Sequence, residues 1–442
     1  MHCTTKVLAA LATAALAAPF AAHAQVKVFM LGGAVADSNN AIYAGLRAAT
    51  GKDWSPNTSS YSNCSTNWST TLCPKIAVIT ASAESKAVGV DAFANNDPTS
   101  GKLGYYNLFQ KYGFSPKHVT AHIDNYTSAS YSGNSEGDAN IALVNQADVV
   151  FLNGGDQSRA ARTLLKNDGT DSPLMAAIRT RVNSGALIIA GTSAGTMIQG
   201  NAMYGEGIAY GYIYYNANLA QKSVGSSTGL RDDRYGTTAL QYYDNGGKMT
   251  GLGFVGGNVA VDTHCNARGR VARTLAAMRN LGKTQGICVD EDAALYLNGS
   301  TGKMFGNNGV SVMDTSAATF PTGSYFRVYG ARVTYLTHGD AINMSTKAVT
   351  STKTLITRQY YATPYDSTNV LGPDEITRSI TRIVDSTTSY NLGSAPVPVY
   401  DTAPTYPASA PVIRMKFYKD ANTKGYYSSG RYTAVNVLVD IY

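Results

Sequence analysis

Long apolar runs are scarce in this 442-residue chain. Beyond the N-terminal stretch none approaches the ~18 uninterrupted apolar residues of a membrane-spanning helix, so no such span is expected. Cysteine occurs only five times, with no CxxC pair and no histidine-rich cluster to suggest a metal site. A glycine-rich phosphate loop is missing, which speaks against a nucleotide cofactor, and there is no internal repeat of fixed period. Lys and Arg exceed Asp and Glu by seven, but the charges are scattered and form no basic stripe, so nucleic acid is not an expected partner. A mild positive field suits an acidic substrate. Histidine occurs six times, which leaves few candidates for a catalytic base.

The chain opens with "MHCTTKVLAALATAALAAPFAAHA". Lys6, the Ala/Leu-rich run and the small-x-small end at Ala22-His23-Ala24 read as a signal peptide over residues 1–24. The mature chain would begin at Gln25 and be secreted or periplasmic. Cys3 would leave with the signal, and Cys64, Cys73, Cys265 and Cys288 would remain. An even number in an oxidising compartment points to disulfides. Cys64 and Cys73 bracket a Ser/Asn/Thr-rich loop, and a bridge between them would close it.

From residue 26 short apolar runs alternate with amphipathic stretches. "VKVFMLGG" (26–33), "KIAVITA" (75–81), "HVTAHI" (118–123), "ADVVFLNGG" (147–155) and "ALIIAG" (186–191) read as strands. "GKLGYYNLFQKYGF" and "DQSRAARTLLKN" read as helices, and a third opens with Ser172 as N-cap and Pro173 in its first turn. Alternation of this kind predicts an α/β fold with a three-layer, mostly parallel sheet. Ligands in such sheets bind beyond the carboxyl ends of the strands. After about residue 350 the character changes: a Pro-rich spacer over 394–411 precedes "IRMKFYKD" and "RYTAVNVLVDIY", which alternate with period two. The expected organisation is therefore a catalytic domain over 25–350 and a Pro/Tyr-rich extension over 351–442 ending in a β element.

One stretch carries chemistry. In "ALIIAGTSAGTMIQG" an apolar strand runs into Gly191-Thr192-Ser193-Ala194-Gly195 and leaves as a helix. This is the pattern of a nucleophile elbow, where a sharp bend exposes the serine and tolerates only small neighbours. Ala194, at the helix start, would offer its N–H to a developing oxyanion. Of the histidines, His264 in "VAVDTHCNARGRVART" follows a strand and precedes an Arg-bearing helix, which puts it on the same edge as Ser193. The orienting carboxylate is open between Asp290, Glu291 and Asp292 of "GICVDEDAALYL" and Asp262, two residues before the histidine.

"FLNGGDQ", "GTSAG", "DTHCNARGRVAR" and "GICVDEDAAL" stand in the order and setting of the cyanophycinase family, and over roughly residues 26–350 the chain resembles those serine hydrolases, grouped with peptidase E. The resemblance implies a flavodoxin-like core, akin to class I glutamine amidotransferases, that is often dimeric and needs no cofactor or metal. It implies hydrolysis of cyanophycin, a polyaspartate with arginine on each β-carboxyl, to β-Asp-Arg dipeptides. It assigns Ser193 as nucleophile, His264 as base and Glu291 as triad carboxylate, with Gly155 and Ala194 as oxyanion hole. It places Gln157, Asp262, Arg268 and Arg270 at the substrate; Arg273 reads better as a helix ion pair. Thr263 stands where the family carries a glutamine, which touches specificity rather than chemistry. If His264 and Glu291 meet, their strand ends lie side by side, and Cys265 and Cys288 come within disulfide distance. The rival readings are a peptidase E-like aspartyl or isoaspartyl exopeptidase and a non-catalytic surface binding protein. Between Ser193 and His264, a tyrosine-rich stretch with Asp232-Asp233 would grip guanidinium groups.

Overall fold

Alternate residues of the strand Lys27–Leu31 enter different cores: Val28 and Met30 join one, Phe29 and Leu31 the other. A strand buried on both faces belongs inside a layered α/β sheet, and that is where it sits. The structure is a computed structural model describing residues 25–52, 64, 66–166, 169–204, 208–216, 248–398, 406–407 and 409–442. The expected signal peptide over 1–24 and the Asp232-Asp233 pair lie outside the described residues.

The first sheet has nine strands. Five are parallel, in the order Lys27–Leu31, Ile188–Thr192, Val149–Leu152, Lys75–Ile79 and Ser115–Val119. On the other side of Lys27–Leu31 the sheet continues antiparallel through Ala293–Asn298, Thr301–Gly306, Ala341–Asn343 and Val349–Thr350. The edge strand Ser115–Val119 begins three residues earlier than the apolar run suggests. Pro116 is tolerated because that strand has one neighbour, and Asn125 ends the extended run by accepting His122 N–H at 2.9 Å. Helices cover both faces. Ser172 accepts Met175 N–H and Pro173 occupies the first turn of Pro173–Asn183, as its capping sequence demands.

The second sheet has ten strands and is mostly antiparallel. Val259–Thr263 pairs in parallel with Gln285–Val289, followed by Val310–Asp314, Val328–Leu336, Arg431–Ile441, Ile413–Tyr418, Tyr390–Ala395 and Asp366–Ser367. The C-terminal strand thus lies inside the sheet, not after it. Helix Glu375–Val384 buries Ile376, Ile380 and Ile383 in the same core as Val271, Leu275, Val437 and Ile441. The β-rich C-terminal part and residues 259–336 therefore share one sheet and one core. Among the described residues, no helix is long and apolar enough to cross a membrane.

Candidate active site

The elbow is built from what glycine permits. Ser193 sits between the strand Ile188–Thr192 and the short helix Ala194–Met197 with φ 51° and ψ −116°, a strained conformation for a serine. A Cβ at Gly191 would stand 2.2 Å from Gly195 O, and one at Gly195 2.2 Å from Leu152 O. Neither position admits a side chain. Ala194 opens the helix, where first-turn N–H groups have no acceptor within the helix. The Gly154–Gly155 corner lies against the serine: a Cβ at Gly154 would come 3.3 Å from Ser193 Cβ. Gly155 itself has φ +135° and no room for a Cβ beside Ser82 O.

The end of the first strand gathers the rest. Leu31 O accepts Ser193 N–H at 3.1 Å, Gly32 O accepts His264 N–H at 3.0 Å, and Gly33 O accepts Asp292 N–H at 3.0 Å. The His264 ring lies where a Cβ of Gly33 would be, 2.3 Å from its Cε1. Ser193 Oγ and His264 Nε2 are 2.7 Å apart, and His264 Nδ1 and Glu291 Oε1 are 2.7 Å apart. Three side chains from three strand ends thus form one hydrogen-bonded line. Burial, followed by Arg268 and Arg270, outweighs the upward pull of Glu291 and lowers the His264 pKa. The shift favours the neutral imidazole, the form that a general base requires.

The four carboxylates separate cleanly. Glu291 alone faces the histidine; Asn266 Oδ1 accepts its N–H at 2.9 Å and Asn308 Nδ2 donates to its carbonyl at 2.8 Å. Asp290 is fully buried and accepts from Tyr335 Oη at 2.8 Å; burial pushes its pKa up to about 7. Asp292 accepts from Ala36 N–H, Asn39 Nδ2 and Asn307 Nδ2. Asp262 is held by Arg273, whose Nε donates at 2.8 Å, and by Arg270 at 3.6 Å. Burial would raise the Asp262 pKa, but Arg273 and Arg270 prevail and lower it. Strand alternation, which would aim Asp262 and His264 the same way, stops at His264 because its φ is +56°.

The other expected substrate residues are dispersed. Gln157 is buried at the start of Gln157–Leu164. Arg270 donates to Thr263 O, and with Arg268 it lines a cavity of about 610 Å³ shared with Tyr210, Leu371 and Pro396. Ser193 instead opens onto a cavity of about 450 Å³ whose lining includes Gly154, Asp37, Asp91, Lys102 and Tyr105. Arg273 stacks under Tyr212 and serves Asp262. His118 lies against Phe93 and Thr80 Oγ1, His122 against Ala83 O, and His338 near Gly306 N–H. The structure joins Cys64 to Cys73 and Cys265 to Cys288, with Cα separations of 5.6 Å and 5.7 Å.

Sequence reasoning overlooked Gly32, Gly33, Asn266 and Asn308. The paired glycines closing "VFMLGG" are a signal for a close approach at a strand end. Nothing local marks the two asparagines, because their partners are distant in the chain.

Residues 105–220 match the model of peptidase family S51. A cyanophycinase from Geminocystis herdmanii is 29% identical over 210 residues, 46% of this chain and 65% of that protein. One from Synechococcus elongatus is 24% identical over 287 residues, 63% of this chain and 75% of its own length. The matched part thus spans just under two thirds of the first relative and three quarters of the second. A solved peptidase from an acI-B1 actinobacterium is 14% identical and superposes with a TM-score of 0.42 over 73% of this chain and 98% of its own. Together, the S51 match and these relatives support a serine-type peptidase similar to the cyanophycinases.

Proposed function

We propose that this chain is an exported serine hydrolase that degrades cyanophycin to β-Asp-Arg dipeptides. Ser193 attacks a carbonyl of the polyaspartyl backbone as His264 Nε2 takes its proton, and Glu291 holds the imidazole in the required tautomer and balances its charge. The N–H groups of Ala194 and Gly155 receive the oxyanion. His264 then protonates the leaving amine and activates the water that releases the acyl-enzyme. The observation that carries this reading is the 2.7 Å and 2.7 Å line from Ser193 through His264 to Glu291, anchored at an elbow that excludes side chains. The disulfides fit an oxidising compartment. Carboxylates lining the cavity onto which Ser193 opens, Asp37 and Asp91 among them, suit a substrate that carries guanidinium groups.

The test sets the purified protein on insoluble cyanophycin beside Asp-X and isoaspartyl dipeptides. Clearing with release of β-Asp-Arg is expected. Cleavage of dipeptides alone would make it a peptidase E-like exopeptidase, and turnover of neither would make it a binding protein.

A further inference from the structure

Asn266, two residues beyond the candidate base, reaches in two directions. Its Oδ1 accepts Glu291 N–H at 2.9 Å, and its Nδ2 donates to Asp374 Oδ1 at 3.0 Å. Its own carbonyl accepts Asp374 N–H at 2.8 Å. The partners fix the amide's orientation, since an N–H needs the oxygen and a carboxylate needs the nitrogen. Asp374 is separated from Asn266 by 108 residues and lies in the C-terminal part, at the start of helix Glu375–Val384.

The aspartate is used unusually. An N-cap aspartate normally folds its carboxylate back onto an N–H of its own helix. Asp374 makes no such bond, and its φ of 62° is left-handed, a rare conformation for a residue with a side chain. That strained backbone points both its N–H and its carboxylate at Asn266. A second contact seats the same segment: a Cβ at Gly269 would lie 2.3 Å from Leu371 O, so backbone presses on backbone. The loop between His264 and Arg270 is thereby clasped by residues 371–374.

We propose that Asp374 and Asn266 are positioning residues: through the Asn266 amide, the C-terminal segment holds Glu291 in register with His264. The proposal rests on the Ser193–His264–Glu291 reading. Asp374 touches no reacting atom; it acts through Asn266 and Glu291.

The experiment measures kcat and KM on soluble β-aspartyl-arginine oligomers, with thermal melts, for Asp374→Ala, Asp374→Asn, Asn266→Ala, the Asp374→Ala/Asn266→Ala pair and Ser193→Ala. Asp374→Ala is expected to lower kcat about tenfold, the cost of a small misplacement, with KM changed by less than about twofold. Asp374→Asn keeps a side-chain oxygen for Asn266 and tolerates left-handed φ, so it retains most of the wild-type kcat. The double variant falls no lower in kcat than Asn266→Ala alone, because the two residues act as one unit. A merely stabilising contact would shift the melt and leave kcat alone. Wild-type kcat in Asp374→Ala, equal losses in the alanine and asparagine variants, or losses that multiply in the pair would each overturn the clasp. An active Ser193→Ala overturns the serine reading and the clasp with it. An inactive Ser193→Ala beside a normal Asp374→Ala removes the clasp alone.

Discussion

On the first sheet, Ser193 ends a parallel strand, and most of what shapes its surroundings lies close by in the chain: Gly191, Ala194 and Gly195 are immediate neighbours. On the second sheet, His264 and Glu291 follow adjacent strands whose placement depends on distant partners. Cys265 is bridged to Cys288, Asn266 is tied to Asp374, and the sheet is continued by the C-terminal strand Arg431–Ile441. Ser193, the proposed nucleophile, is presented by local geometry, whereas His264 and Glu291, the proposed base and carboxylate, are held by long-range ties. Gly32 and Gly33 are where the two arrangements meet. A change on the serine side should therefore abolish chemistry with little effect on folding, and changes on the other side should divide between rate and stability.

The largest effect belongs to Ser193→Ala. Hydrolysis should fall by roughly 10⁴–10⁶-fold while the protein stays folded, as read by activity and circular dichroism. Residual hydrolysis near the wild-type rate would remove the serine from the mechanism.

Next comes Glu291→Gln, which keeps the shape but favours the wrong imidazole tautomer. We expect kcat to fall by about 10²–10⁴-fold with KM little changed, in steady-state kinetics. If Asp262→Asn gave that kinetic pattern and Glu291→Gln did not, the orienting carboxylate would be Asp262.

Asp262→Asn should act on stability instead. Removing its charge leaves Arg273 buried without a counter-charge, a loss of about 3–5 kcal/mol that denaturant unfolding would register. An unchanged midpoint would mean that the arginine finds another partner.

Removing the Cys265–Cys288 bridge, which spans a sequence separation of 23, should cost about 3 kcal/mol in the chain-entropy account. Peptide mapping of non-reduced protein checks the pairing first, and free thiols at both positions in protein from its native compartment would contradict it.

The smallest effect is in pH dependence. The proposed base, His264, would accept a proton only when neutral, and burial together with Arg268 and Arg270 lowers its pKa. The acid limb of kcat/KM should therefore lie below the ordinary histidine value of 6.5. Arg268→Gln removes one of the lowering charges and should move that limb upward; a shift downward would contradict the assignment of His264 as the titrating group.

Much of the first sheet was legible in the sequence because its signals are local. Buried strands read as apolar runs, Ser172-Pro173 announces its helix, and the small residues around Ser193 announce a bend. The chain itself determined that a serine would stand at a strand end beside a helix start, and that a histidine and several acids would follow other strands. Which acid would face the histidine was not written locally, since Asp262, Asp290, Glu291 and Asp292 are alike in their strand-end setting. The tertiary structure decided it: the left-handed turn at His264 breaks the alternation, Arg273 captures Asp262, Tyr335 captures Asp290, and Asn39 and Asn307 capture Asp292. The same holds for the C-terminal part. Period-two alternation marked its strands, but pairing of Arg431–Ile441 with Val328–Leu336 joins residues about a hundred positions apart. A side chain's type and spacing fix what it is able to do; its partner is set by which distant backbone the fold brings alongside.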